Sequence, residues 1–171
     1  MQEFAITVIG HDRPGIIAGA AEALANLGLN LTDSTMTRLR GHFAMTLICV
    51  GPTTLDEIEA ALRPLTETGL VVTVREVGAE PEPAPSGGSY LLTVHGADRL
   101  GIVAAVTRVI AGVEGNVTDL STRLSGDLYV LVAEVDLPST VDIPSLEARL
   151  AEVAAELGVG VRLRPAEVDV L

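Results

Sequence analysis

The first apolar run, Phe4-Ala5-Ile6-Thr7-Val8-Ile9, is hydrophobic at nearly every position, the pattern of a strand covered on both sides by its neighbours. Gly10 is expected to end it. From Ile16 the spacing changes to a helical one, with Ile16, Ile17, Ala20, Leu24 and Leu27 on one face. Asp12 is placed to cap that helix, and Pro14 suits its first positions, where no N–H is needed. Gly28 stops it. Asn30 opens a second strand from Leu31 to about Arg40, a Gly41-His42 turn leads to a third from Phe43 to Val50, and Gly51-Pro52 closes it. Thr54-Leu55-Asp56-Glu57 reads as a capping box before a helix with Leu55, Ile58 and Leu62 inward. Pro64 is expected to end or kink that helix early. Val71 to Arg75 makes a fourth strand. The order is βαββαβ, the split βαβ of ferredoxin-like folds.

The same pattern then starts again. Between the copies, residues 78–89 (GAEPEPAPSGGS) have no hydrophobic period and read as a linker, semi-rigid in the Pro half and loose in the Gly/Ser half. Tyr90 to Val94 matches the first strand, and Leu100 to Val113 the first helix. Gly115-Asn116-Val117-Thr118-Asp119 answers Leu29-Asn30-Leu31-Thr32-Asp33. Thr122-Arg123-Leu124 answers Thr37-Arg38-Leu39 one residue closer in, so the second copy is expected to carry a deletion in that strand. Leu128 to Val135 is the next strand. Asp142-Ile143-Pro144 starts a helix with Leu146, Leu150, Val153 and Leu157 inward, which Gly158 ends. Val159, Val161 and Leu163 alternate with Gly160, Arg162 and Arg164 as a half-buried strand. The chain is thus an α+β protein of two tandem ferredoxin-like βαββαβ domains with antiparallel sheets, 1–77 and 90–171; the last residues, 165–171, carry no pattern.

Composition narrows the function. Hydrophobic residues make up 48% of 171 positions, yet Phe and Tyr number two each and Trp none, so the cores are aliphatic. A net charge of −12 repels phosphate backbones and argues against direct nucleic-acid binding. Every apolar run is interrupted well short of membrane-spanning length, and the first residues lack a basic, apolar leader. One cysteine, Cys49, excludes an internal disulfide and any CxxC motif. A soluble cytoplasmic protein is the expectation.

The repeated stretch His11-Asp12-Arg13-Pro14-Gly15-Ile16 and its echo Ala97-Asp98-Arg99-Leu100-Gly101-Ile102 are the strongest chemical feature. Each is a turn from strand to helix N-terminus, where unpaired N–H groups at the positive end of the helix dipole suit an anion or carboxylate. The structural alternative gives Asp12 and Asp98 to capping, Gly15 and Gly101 to packing, and Arg13 and Arg99 to solvent. Asn30 and Asn116, expected at the same end of each unit as the turn, either hold polar ligand groups or tolerate a left-handed backbone. Catalysis is poorly supported: His95 as a triad base or metal ligand stands behind His95 as a strand-end packing residue. His11, His42 and His95 are the only histidines, no GxSxG is present, and Cys49 lies in a core strand. Other ferredoxin-like trades lack their residues: stacking aromatics on a basic face for RNA recognition, paired cysteines for heavy-metal transport, and an Arg-bearing phosphate loop for an acylphosphatase, which Arg13 and Arg99 match only loosely.

Gly10-His11-Asp12-Arg13-Pro14-Gly15-Ile16 with Gly28-Leu29-Asn30-Leu31, and Gly96 to Ile102 with Gly115-Asn116-Val117, resemble the motifs of ACT domains over both halves of the chain. The tandem layout and size are similar to the glycine cleavage system transcriptional repressor group. The resemblance implies a non-enzymatic regulator without a cofactor, which binds a small ligand, typically an amino acid, where the loop after strand one of one module faces the start of strand two of another. Its implied contacts are His11, Asp12, Arg13, Pro14, Gly15 and Ile16 with Asn30 and Leu31, and Ala97, Asp98, Arg99, Leu100, Gly101 and Ile102 with Asn116 and Val117. Modules pair within a chain or across a homodimer, and control passes through a protein partner, a transcription regulator or metabolic enzyme. Leu100 in place of Pro14 implies a weaker or merely structural second site. A ligand-free scaffold or dimerisation module is the competing reading.

Overall fold

A computed structural model describes residues 1–78 and 86–166. The chain divides into two compact units, Met1–Pro81 and Glu82–Leu171. In the first, the order is β1 (Gln2–His11), α1 (Ile16–Asn26), β2 (Asn30–Leu39), β3 (His42–Gly51), α2 (Leu55–Glu67) and β4 (Val71–Val77). In the second it is β5 (Ser86–Ala97), α3 (Ile102–Ala111), β6 (Asn116–Ser125), β7 (Leu128–Pro138), α4 (Ile143–Leu157) and β8 (Val159–Pro165). The sheets run β2-β3-β1-β4 and β6-β7-β5-β8, antiparallel throughout, so each unit is the expected α+β βαββαβ fold.

Alternation builds each core. Phe4, Ile6 and Val8 of β1 and Phe43, Met45, Leu47 and Cys49 of β3 point to one side, where Ile16, Ala20 and Leu24 of α1 and Ile58, Leu62 and Leu65 of α2 cover them. The second core repeats this with Leu92, Val94, Leu131, Ala133 and Val135 under Ile102, Val106, Ile110, Leu146 and Leu150. Cys49 is buried, its Sγ 3.7 Å from the carbonyl oxygen of Phe4, and burial pushes its thiol pKa up, so it is a core residue and not a nucleophile.

Several local expectations are corrected. β1 runs through Gly10 to His11. Asp12 and Asp98 do not cap their helices: the N-caps are Gly15 and Gly101, in the left-handed region at φ +90° and +89°, with no side-chain cap. Pro14 therefore precedes the first helical turn instead of pre-organising it. Ile17 faces outward and is 48% exposed. The first hairpin turns at Arg40-Gly41, with His42 already in β3. Pro64 does not end α2, which continues to Glu67 with Pro64 exposed and Leu62 and Leu65 buried on either side of it. The second copy has no deletion: β2 and β6 both have ten residues, and 86 residues separate His11 from Ala97 as they separate Leu39 from Ser125. Of the expected linker, residues 79–85 lie outside the described residues and Ser86 to Ser89 belong to β5, which thus starts before Tyr90. Residues 167–171 also lie outside. No helix among the described residues is long and apolar enough to cross a membrane.

Candidate functional site: the turns after β1 and β5

Each turn is shaped by its glycine. At Gly15 and Gly101 an added Cβ would meet nothing within 4 Å, so the backbone angle, not crowding, demands glycine. The same absence of a side chain means that the N-cap offers the first helical N–H groups no acceptor. Ile16 and Ile102 follow immediately and are buried, anchoring the helix start to the core.

The side chains around the two turns are held differently. In the first, the Asp12 N–H donates to the carbonyl of Gly41 at 2.9 Å, tying the turn to the β2–β3 hairpin. The Asp12 carboxylate pairs with Arg38, Nη1 to Oδ2 3.4 Å. Arg13 donates from Nη2 to Oγ1 of Thr68, which itself donates to the carbonyl of Leu65 at 2.7 Å, so this guanidinium is tethered to the end of α2. In the second, neither Asp98 nor Arg99 has a side-chain hydrogen bond or ion pair among the described residues. The reasons lie in sequence. The register counterpart of Thr68 is Leu157, which has no hydroxyl, and the register position of Arg38 is held by Leu124. Leu100 is fully exposed. Beside this turn lies a cleft of about 520 Å³, lined by residues 98–104 and Tyr129, which replaces the buried Phe43 of the first unit.

Asn30 and Asn116 are not near their own turns. Asn30 stands opposite Val50, whereas the turn follows the His11–His42 pair. Eight residues of β3 separate these levels, roughly 26 Å along the strand. The expectation that turn and Asn share one end of a unit is thus overturned, because α1 carries the chain back to the opposite end before β2 begins. Both Asn side chains are exposed at the start of an edge strand. Leu31 and Val117 pack against the cores, and each is followed by a β-bulge at which Thr32 or Thr118 donates to the carbonyl of Ile48 or Glu134. Arg38, Thr68 and Tyr129 were absent from the sequence-based set. The displaced Thr-Arg-Leu triplet was the one signal that pointed to Arg38.

A family model described as ACT domain matches residues 2–75 and again residues 89–164. The UPF0237 protein of Methanopyrus kandleri is 38% identical over 79 residues, 46% of this chain and 88% of that protein. The glycine cleavage system transcriptional repressor of Escherichia coli (strain K12) is 23% identical over 160 residues, 89% of this chain and 84% of that protein. Among solved structures, an unknown protein from Galdieria sulphuraria gives a TM-score of 0.81 at 30% identity, covering 96% of this chain and 98% of that one. A candidate glycine cleavage system transcriptional repressor gives 0.72 at 19% identity, covering 95% and 96%.

Proposed function

The chain belongs to the ACT-domain family, two modules in tandem, and from that premise we propose that it is a non-enzymatic regulatory protein that senses an α-amino acid at its turns. The observation that carries this reading is the second turn. There the uncapped N–H groups at the start of α3 and the Arg99 guanidinium suit a carboxylate, Asp98 suits an ammonium group, neither side chain has a partner among the described residues, and a cleft lies alongside. This reverses the ranking drawn from Leu100: the second turn is the better equipped, because among the described residues its charged groups are not spent on internal partners. Asn30 and Asn116 contribute only where a second module supplies the start of its β2-type strand to a turn, since no amino acid spans roughly 26 Å. Ligand binding then alters a partner regulator by favouring one packing of modules over another. The tandem likeness to the repressor supports a role in transcriptional or metabolic control.

The test is a thermal-shift screen of the protein amino acids on the full chain, with calorimetry on any that act. A ligand at about a hundred times its Kd adds roughly 2.7 kcal/mol of stability. The expected result is a saturable shift from one class of amino acid, abolished in D98A/R99A with folding retained. No shift at millimolar concentrations, or one that survives D98A/R99A, removes the reading.

One observation favours the second reading, a pairing module. Ile17 and Met36 are 48% and 46% exposed and line, with Leu31 and Leu47, a cleft of about 350 Å³ beside the unpaired β2 edge. Sedimentation equilibrium of I17E/M36E against the parent decides it: a shift to lower mass supports pairing through this edge, and equal masses count against it.

A further inference from the structure

His11 and His42 face each other across β1 and β3, the last pair of that ladder. The Asp12 N–H bond to Gly41 brackets them, which makes theirs a non-hydrogen-bonded pair, the position where opposing side chains come closest. Both rings are solvent-exposed, with centroids 5.0 Å apart and planes 28° from parallel. We propose that the two imidazoles form a binding site for a borderline divalent transition-metal ion, Cu²⁺ before Ni²⁺ or Zn²⁺.

The spacing carries the argument. A metal-bound imidazole nitrogen lies about 2.0–2.1 Å from its ion, and the ring centre roughly 1.1 Å further on. Two such rings at an angle between square and tetrahedral hold their centroids roughly 4.5–5.2 Å apart. The observed 5.0 Å falls inside that range without any movement of the backbone. χ2 is a broad two-fold torsion, so each exposed ring can turn to present either nitrogen. Imidazole suits Cu²⁺, Ni²⁺ and Zn²⁺, and Cu²⁺ stands highest in the affinity order. A chain charge of −12 concentrates cations at its surface. No cluster of three or more His, Cys, Asp or Glu that could hold a metal exists among the described residues, so water or a small chelator fills the remaining positions.

The second module provides the contrast. Its corresponding pair is Ala97 and Leu128, and its one histidine, His95, lies against Gly160, where an added Cβ would stand 2.6 Å from Cε1. The ion site therefore belongs to the first module alone. It is separable from amino-acid sensing at the second turn, which has no part in it.

Titration of the untagged full chain with copper(II) chloride at pH 7.5, followed by calorimetry and electron paramagnetic resonance, tests this. One equivalent is expected, with hyperfine structure from imidazole nitrogens. Affinity should fall at least tenfold in H11A and in H42A and stay unchanged in H95A. Grafting the pair as A97H/L128H adds a second equivalent, a gain that damaged folding does not mimic. Failure of the parent to bind one equivalent, equal affinity in parent, H11A and H42A, or loss of binding in H95A overturns the proposal.

Discussion

Arg38 reaches the Asp12 carboxylate at 3.4 Å, while the register-equivalent residue of the second module is Leu124, which leaves Asp98 without an ion pair among the described residues. One residue of slippage in a Thr-Arg-Leu triplet makes the difference. It sets Arg123 one step along the strand, on the other face of the sheet, where it donates to the carbonyl of Thr122. The pair is exposed, 68% and 31% at its two side chains, so it contributes at most about 1 kcal/mol and less in salt. R38L is therefore expected to move the melting temperature little, with the difference shrinking as salt is added. L124R engages Asp98 and is expected to weaken amino-acid binding at the second turn several-fold, read by calorimetry; unchanged affinity would show that Asp98 takes no part.

Gly15 and Gly101 have room for a methyl group but stand in a backbone region that L-residues avoid. G15A and G101A should each cost about 1–2 kcal/mol from the backbone alone. For a domain of this size that is a fall of very roughly 4–16 °C in Tm. A loss near zero in both would mean that the turn relaxes at no cost.

Arg40 occupies the same left-handed region without being glycine. It adopts φ +49° at the first position of a two-residue hairpin turn, with Gly41 at +81° behind it. Asn-Gly is the preferred pair for such a turn. R40N should stabilise the first module by up to about 1 kcal/mol, measured by urea denaturation with an unchanged slope.

Glu57 is held in its charged form. Its Oε2 accepts from Thr53 Oγ1 at 2.7 Å, from the Thr54 N–H at 2.9 Å and from Thr54 Oγ1 at 3.0 Å, and these bonds lower its pKa, the Thr53 bond most. A carboxylate with a lowered folded pKa contributes stability that is complete above the unfolded value, ordinarily about 4.3. That stability is lost as pH falls through the folded value. The parent is expected to exceed E57Q in Tm near neutral pH, and the gap should close below about pH 4. A gap that widens on acidification would contradict the lowered pKa.

How much of this was legible depended on range. Alternation along Phe4–Ile9 and Phe43–Val50, the capping box at Thr54 and the restart at Tyr90 are local patterns, and both sheets follow from them. The misreadings arose where position in the chain does not give position in space. Asn30 stands four residues beyond α1, but an 11-residue helix carries the chain about 16 Å back along the sheet, away from the turn. Asp-Arg-x-Gly imitates a capped helix start, yet a left-handed glycine postpones the start, and the Asp12 carboxylate goes to Arg38 of another strand. Matching triplets by identity implied a deletion, whereas sheet register, which sequence does not display, keeps the strands equal. His42 lies one residue past Gly41, the turn glycine of a different connection, and only strand pairing sets it against His11.

The constant 86-residue spacing from β1 through β3 has a consequence for how variants are judged. Every position there comes with a natural counterpart in the same molecule, under one buffer and one temperature: His42 with Leu128, Arg38 with Leu124, Pro14 with Leu100. Duplication has in effect already run a substitution series on this backbone. A residue exchanged between the copies therefore starts from a partner sequence known to fold around it, so a lost response reports on chemistry before it reports on architecture.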